Sequence, residues 1–378
     1  MNELYQKVLF FISGLILSFL INGIFLKFAA TFGNRNLQRI DGQVRWSSTQ
    51  KPSVGGISFY IVFLLSFSYV VASSNYTVGI SVDYLLMGIL LPISLGFLIG
   101  LADDAYNTKP MLKFLGQLAC GLIFIYAGVF IHISENNIIN YTFTAIWVVG
   151  MMNSINMLDN MDGIVSSVSI VTLIIGLYIA SQQNVISNVD VYLMLGTCAA
   201  LAGFLFYNWN PSKMYMGDTG SQFLGAFLAL ISIKYFWNIK ALHTSSLHIE
   251  QYLVPALAFT VPLMDTTTVT IRRILRGQSP FVGGRDHTTH HLAILGLSDR
   301  MVVSSMIGLS LVSMGISIYF VGHLVTWSDA NTYQVIGFYV AVFITLQILY
   351  QIGLSKKRKP QENIFINEQN NSEERITV

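Results

Sequence analysis

The sequence predicts an all-α, polytopic integral membrane protein with ten or eleven transmembrane helices, on three observations. Of 378 residues, 53% are hydrophobic and 11% charged, where soluble domains carry about a quarter charged. Mean hydropathy is +0.59. Uncharged stretches of about 20 residues, the length that crosses a bilayer, recur along the whole chain. Basic residues gather in alternate connections, as positive-inside topology requires. A formal net charge of +2 excludes a basic nucleic-acid surface, and Cys120 and Cys198 fall in apolar runs, so neither a disulfide framework nor a cysteine metal site is expected.

Taken in order, helix-length windows read as free of Asp, Glu, Lys and Arg place spans near 8–29, 56–74, 84–102, 113–131, 141–157, 163–181, 190–208, 219–238, 252–271, 301–322 and 333–354. The first apolar run is too long for a signal-peptide core and is kept as an anchoring helix. With the N-terminus outside, segments 31–54, 103–112, 158–162, 209–218, 272–300 and 355–378 share one side. That side, with Lys27 and Lys113 at its helix ends, takes 18 of the 21 Lys and Arg, leaving Lys7, Lys234 and Lys240. The split makes those segments cytoplasmic. Residues 1–355 then form a multi-span catalytic domain and 356–378 a polar, solvated cytoplasmic tail. The centres of the spans read as free of charge and the acidic residues as clustered at one rim, which argues against a secondary transporter or lipid flippase.

Four cytoplasmic stretches carry the chemistry. Asp103-Asp104 ends the third span; two adjacent carboxylates need a cation or basic partner beside them, although acidic residues also occur as plain helix ends. Asn153, Asn156, Asp159 and Asp162 recur every three residues, so a helix running through them would align one polar stripe able to hold a nucleoside edge or a metal's waters. The alternative is capping at the Asp162-Gly163 turn. In the third stretch, 208–221, Gly217 and Gly220 admit close backbone approach and Asp218 offers oxygen to a hard cation. The helix that follows offers amides to phosphate, and capping explains neither Lys213 nor Tyr215. The fourth, Arg272 to Arg300, is the longest cytoplasmic loop. It is rich in phosphate donors, with Arg285 and the cluster His287, His290 and His291. Zinc is a poor fit because no HExxH glutamate accompanies the histidines. Mg²⁺ with phosphates balances this mixture of Asp and Arg, Lys and His, and the membrane setting points to one lipidic substrate.

Taken together and in order, Asp103-Asp104, the Asn156-x-x-Asp159-x-x-Asp162-Gly163 run, Tyr215 to Ser221, and the loop from Ser279-Pro280-Phe281 to the histidines resemble the polyprenyl-phosphate N-acetylhexosamine-1-phosphate transferases. This is glycosyltransferase family 4, which includes undecaprenyl-phosphate GlcNAc-1-phosphate transferases and the phospho-MurNAc-pentapeptide translocase. The resemblance covers about Asp41 to Arg300. It implies an active site on the cytoplasmic face of the inner membrane and Mg²⁺ dependence, with Mn²⁺ as a substitute. The implied reaction joins a UDP-N-acetylhexosamine such as UDP-GlcNAc to polyprenyl phosphate, giving polyprenyl diphosphate sugar and UMP. Cell-wall or lipopolysaccharide synthesis would begin at such a step.

By position, the resemblance makes Asp218 the metal ligand, with Asp104 beside it, and Asp103 and Asp104 the catalytic pair. Asn156 and Asp159, with Asp162, become nucleoside-side contacts, and Tyr215 an aromatic for uracil. His287, His290 and His291 match the catalytic histidines, and Lys51, Lys113 and Arg285 become substrate-binding cations. Oligomeric state is left open, a homodimer included. Two departures, the absence of Pro and His between Asp41 and Gly55-Gly56 and the His287-x-x-His290-His291 spacing, point away from the peptidoglycan translocase and toward a surface-polysaccharide initiator.

Overall fold

The computed structural model describes residues 3–32, 51–73, 84–182, 187–239, 249–279, 284, 286–323 and 327–374. Their order is α1 Glu3–Phe32, α2 Gly55–Ser73, α3 Tyr84–Tyr106, α4 Pro110–Tyr126, α5 Asn137–Leu158, α6 Ile164–Gln182, α7 Asn188–Asn208 and α8 Gly217–Ser232. A π-helical turn Ile233–Trp237 extends α8, followed by α9 Glu250–Ala258, α10 Thr260–Leu275, α11 Thr288–Ile294, α12 Asp299–Gly322 and α13 Asp329–Glu374. The described residues contain no strand, only a parallel bridge between Ser53 and Tyr215.

Eight of these helices are long and apolar enough to cross a membrane, and nine if α9 and α10 count as one broken span. The run expected at 252–271 bends by 91° between them. Pro262 explains the break: it has no N–H to reach the Ala258 carbonyl, so the helical ladder fails there. Thr172 Oγ1 donates to that carbonyl at 3.3 Å instead. The runs at 113–131 and 219–238 become the 17-residue α4 and the 16-residue α8 with its π turn. Pro110 opens α4 at the position where a missing N–H does no harm. Asn136, Ser187 and Ser298 cap α5, α7 and α12. The last helix runs on past residue 355 to Glu374.

α8 is the hub. Every residue from Thr219 to Ser232 is buried, so apolar residues cover all its faces. It packs against α2, α3 and α5, with Phe63 meeting Phe223 and Phe227 in the core. Small residues set its approach to α3: a Cβ at Gly100 would stand 2.1 Å from the Asp218 carbonyl oxygen. The alternating helices bring the C-terminal ends of α3 and α5 and the N-terminal ends of α4 and α8 to one end of the bundle, where the charged residues lie.

Candidate active site

The centre of that end is Lys113 on α4. Its Nζ donates to Asp103 Oδ2 at 2.9 Å, to Asp218 Oδ2 at 2.7 Å and to Asn156 Oδ1 at 3.4 Å. Asn156 Nδ2 in turn donates to Asp218 Oδ1 at 2.9 Å and to Ser221 Oγ at 2.8 Å. The local backbone makes this convergence possible. Asn107, at φ 49°, turns the chain out of α3, and the Thr108 amide and hydroxyl then donate back to Asp103 Oδ1 at 2.9 and 2.6 Å. The side chains of Asp103, Lys113 and Asp218 keep 13%, 15% and 33% exposure, enough to leave the cluster reachable.

Asp104 points elsewhere. Its Oδ1 accepts from the Asp218 amide at 3.0 Å, and Oδ2 accepts from the Thr219 amide and hydroxyl at 2.8 and 2.6 Å. A carboxylate is thus set on the positive end of α8, satisfying its unpaired amides. Gly217, at φ 71°, makes room, since a Cβ there would lie 2.6 Å from Asp104 Oδ2. The expectation of Asp104 as base or metal ligand therefore meets a residue whose two oxygens are both engaged by α8.

The expected polar stripe is corrected at its midpoint. α5 ends at Leu158 with Asp159 as its C-cap, so Asp159 and Asp162 leave the helical line of Asn153 and Asn156. Asp162 instead ties down the loop before α8. Its Oδ2 accepts from the Ser212 amide at 2.9 Å and its Oδ1 from the Ser212 hydroxyl at 2.8 Å. Lys51 lies 3.7 Å from Asp162, donates to Ser212 at 2.9 Å, and sits 5.2 Å from the centre of the Tyr215 ring. The Tyr215 amide donates to Pro52 O at 2.9 Å, joining this loop to the start of α2. Lys51, Asp162 and Tyr215 thus form one group, built on a backbone bridge no sequence pattern announced.

His290 and His291 lie on the short helix α11 and His287 is its N-cap, with α11 packed against α10, α12 and α13. His287 Nδ1 lies 2.8 Å from Asp265 Oδ2, and the Thr288 amide donates to Asp265 Oδ1 at 3.0 Å. His290 packs edge-on to His287 with ring centres 5.4 Å apart. Burial, and then the charge of His287, pushes His290 down to about 4. Thr289 donates to Asn160 Oδ1 at 2.7 Å, which docks α11 on the turn after α5. His291 is separated from this group and meets Tyr350 of α13, ring centres 4.4 Å apart. Asp286 is clasped by Arg273 through Nε at 2.8 Å and Nη2 at 2.6 Å. Burial opposes its charge, but these bonds outweigh burial and hold its carboxyl below the usual range. Arg285, Pro280, Phe281 and the stretch from Asp41 to Gln50 lie outside the described residues.

Asp265 corrects the reading of span centres as free of charge. It is 4% exposed within α10, and its charge is met by an imidazole and an amide. Its signal was there to read: a lone carboxylate in an apolar run, upstream of Arg272-Arg273, the kind of residue that membrane segments keep for function. Lys234 is a second charge inside a predicted span, paired with the buried Asp190.

For a divalent cation, the fit rests on Asp103, Asp218 and Asn156, whose side-chain oxygens already converge on one positive charge, the Lys113 ammonium. Such a hard-oxygen set, with few protein ligands, suits Mg²⁺, which keeps several waters and binds phosphate alongside one or two carboxylates. Among the described residues no group of three or more His, Cys, Asp or Glu forms a metal cage.

Bundle and rim together define a multi-pass membrane protein with a cluster of acidic, amide and lysine side chains at one end. The family model for glycosyl transferase family 4 matches residues 86–236, which include Asp103, Lys113, Asn156 and Asp218. A probable undecaprenyl-phosphate N-acetylglucosaminyl 1-phosphate transferase of Bacillus subtilis (strain 168) is 31% identical over 261 residues, 67% of this chain and 68% of that protein. The phospho-N-acetylmuramoyl-pentapeptide-transferase of Streptococcus equi subsp. equi (strain 4047) is 32% identical over 276 residues, 66% of this chain and 76% of that one. That of Staphylococcus carnosus (strain TM300) is 29% identical over 287 residues, 69% and 82% of the two chains. The chain belongs to glycosyl transferase family 4.

Proposed function

We propose that this protein transfers a sugar-1-phosphate, the sugar an N-acetylhexosamine, from a UDP-sugar to polyprenyl phosphate at the cytoplasmic face of the inner membrane. The observation that carries this reading is the convergence of Asp103, Asn156 and Asp218, from three helices, on Lys113 at the bundle rim. A lipid phosphate held in the headgroup plane reaches that depth while its chain stays in the bilayer. Eleven crossings result if the broken pair, α4, and α8 with its π turn each count as a span. The similarity to enzymes named for undecaprenyl phosphate and for phospho-N-acetylmuramoyl-pentapeptide supports the acceptor and the chemistry; the transporter alternative draws no support from them. The first cytoplasmic loop and the histidine spacing favour initiation of a surface polysaccharide over peptidoglycan.

The reaction is phosphoryl transfer by positioning and charge neutralisation. An oxygen of the lipid phosphate attacks the sugar-bearing phosphorus of the UDP-sugar, the bond from that phosphorus to the UMP-side bridging oxygen breaks, and UMP leaves. Lys113 neutralises charge between the two phosphates, and Asp103, whose oxygens are engaged by that ammonium and by Thr108, holds it in place. Asp218, with Asn156 beside it, would hold Mg²⁺, which supplies charge neutralisation on the diphosphate when bound. Lys51 and Tyr215 offer a cation and a ring face to the nucleotide. His290 offers an imidazole donor to the diphosphate, and His287 turns Nε2, the nitrogen not held by Asp265, toward it.

The test is transfer by the purified chain in detergent, with polyprenyl phosphate and a panel of radiolabelled UDP-sugars, with and without Mg²⁺. UMP release with an N-acetylhexosamine donor is expected. Release of UDP in place of UMP would show transfer of the sugar alone and sink the proposal; turnover in excess EDTA would remove the metal from it.

A further inference from the structure

We propose that Asp265 is a positioning residue that fixes His287 with its proton on Nδ1, leaving Nε2 as the nitrogen that works on substrate. This rests on the transferase reading for the substrate, but the geometry stands without it. Asp265 is 4% exposed on α10, in a stretch where a carboxylate without partners would be strongly disfavoured. Both oxygens are spent at the start of α11: one lies 2.8 Å from His287 Nδ1, where a carboxylate oxygen calls for a proton on that nitrogen, and the other accepts from the Thr288 amide at 3.0 Å. The amide bond fixes where α11 begins, and the imidazole bond fixes the ring's rotation and tautomer. Carboxylates behind an imidazole do the same elsewhere, setting which nitrogen carries the proton and which stays available.

The surroundings are consistent with a held imidazole. Thr268, one helical turn from Asp265, has its hydroxyl 3.5 Å from that of Thr288, and Thr289 donates to Asn160 at 2.7 Å, so α11 is tied on two sides. His287 itself is 6% exposed, with His290 as its ring neighbour. The pair is also separate from the Asp103, Lys113 and Asp218 cluster, since none of those residues bonds to it.

Two measurements on the full chain decide the matter. Histidine ¹⁵N NMR in nanodiscs near pH 8, with His287→Gln to assign the signal, should show His287 with its proton on Nδ1. Asp265→Asn should abolish that preference. A parent signal with the proton on Nε2 would overturn the proposal whether or not the transferase reading holds. In the transfer assay, Asp265→Asn should lower kcat about 10- to 100-fold, the scale for outer partners of a working imidazole, with KM for polyprenyl phosphate within about threefold. Asp265→Glu should recover part of the loss, and in a His287→Gln background Asp265→Asn should add little. Effects of the two substitutions that multiply would show Asp265 acting apart from His287. If Asp265→Asn fails to fold, the parent NMR and Asp265→Glu carry the test. A parent chain that releases no UMP with any donor defeats the transferase reading alone.

Discussion

Lys113 Nζ stands 2.7 Å from Asp218 Oδ2, although the two residues are 105 positions apart in the chain. With Asp103 at 2.9 Å on the same ammonium, one cation holds two carboxylates that would otherwise repel each other. Lys113→Gln should therefore remove both substrate charge neutralisation and the brace between helices. UMP release is expected to fall about 10²- to 10³-fold, the range for loss of a preorganised charge at a transition state. Lys113→Arg should restore only part of it, because a planar fork does not reproduce a point charge with three donors. Activity of Lys113→Gln within threefold of the parent would exclude this role.

Asp103 and Asp104 are adjacent in sequence but differ in what they hold. Asp104 receives the first amides of α8, so Asp104→Ala should lower thermal stability by about 1 kcal/mol, the usual value of a helix cap, and displace Asp218 with it. Asp218→Asn removes a charge without removing a cap. It weakens the pair with Lys113 but keeps the cap, so it should lower the melting temperature less than Asp104→Ala does while abolishing Mg²⁺-dependent turnover. Thermal unfolding in detergent beside the transfer assay separates the two. Equal loss of stability in both variants would contradict the division.

His290 sets a pH dependence of stability. Its folded value, pushed down to about 4, lies below the ordinary histidine value near 6.5, so above that pH both states are neutral and the residue contributes no slope. Between about 6.5 and 4 the unfolded chain binds a proton that the folded chain refuses, and stability falls as pH falls. The full loss, reached near pH 4, is at most about 3 kcal/mol. His290→Gln should flatten that part of the curve, as melting temperatures between pH 7.5 and 4.5 would show. A parent curve with no greater slope than the variant's would refute this.

The helices were legible because apolar length in a charge-poor chain has one physical solution, a bundle whose backbone groups are satisfied within each segment. The loops were legible in composition, because Asp103, Lys113, Asn156 and Asp218 share one side of the charge pattern. Their partners were not. Asp104 and Asp103 look equivalent until three-dimensional contact sends one to α8 and the other to Lys113. The Asn153 to Asp162 spacing fitted either a helix running through it or a capped end, and α5 stops at Leu158, because a period of three cannot tell the two apart. Asp265 was hidden by counting its span as free of charge, and the break at Ala258 by reading 252–271 as one run although Pro262 falls four residues beyond a carbonyl it cannot reach.

Tyr350 offers a test far from the acidic cluster. The Arg272 guanidinium lies 3.6 Å from the centre of its ring, and Gln347, one turn earlier on α13, accepts from Arg272 Nη2 at 3.2 Å. Arg272 is 5% exposed, so the aromatic face and the amide are main partners of a buried cation, and His291 packs on the same ring. α13 thereby closes the bundle against α10 and α11. Tyr350→Ala should destabilise the protein by about 2 kcal/mol or more, from the lost cation–π contact and the lost ring burial together. Tyr350→Phe should lose under about 0.5 kcal/mol, because the ring face and not the hydroxyl meets Arg272. Because α11 carries His287, turnover should fall with Tyr350→Ala and hold with Tyr350→Phe. Thermal melts and initial rates for the two variants check both halves; Tyr350→Ala with parental stability would show that α13 does not hold α10 and α11 through this ring.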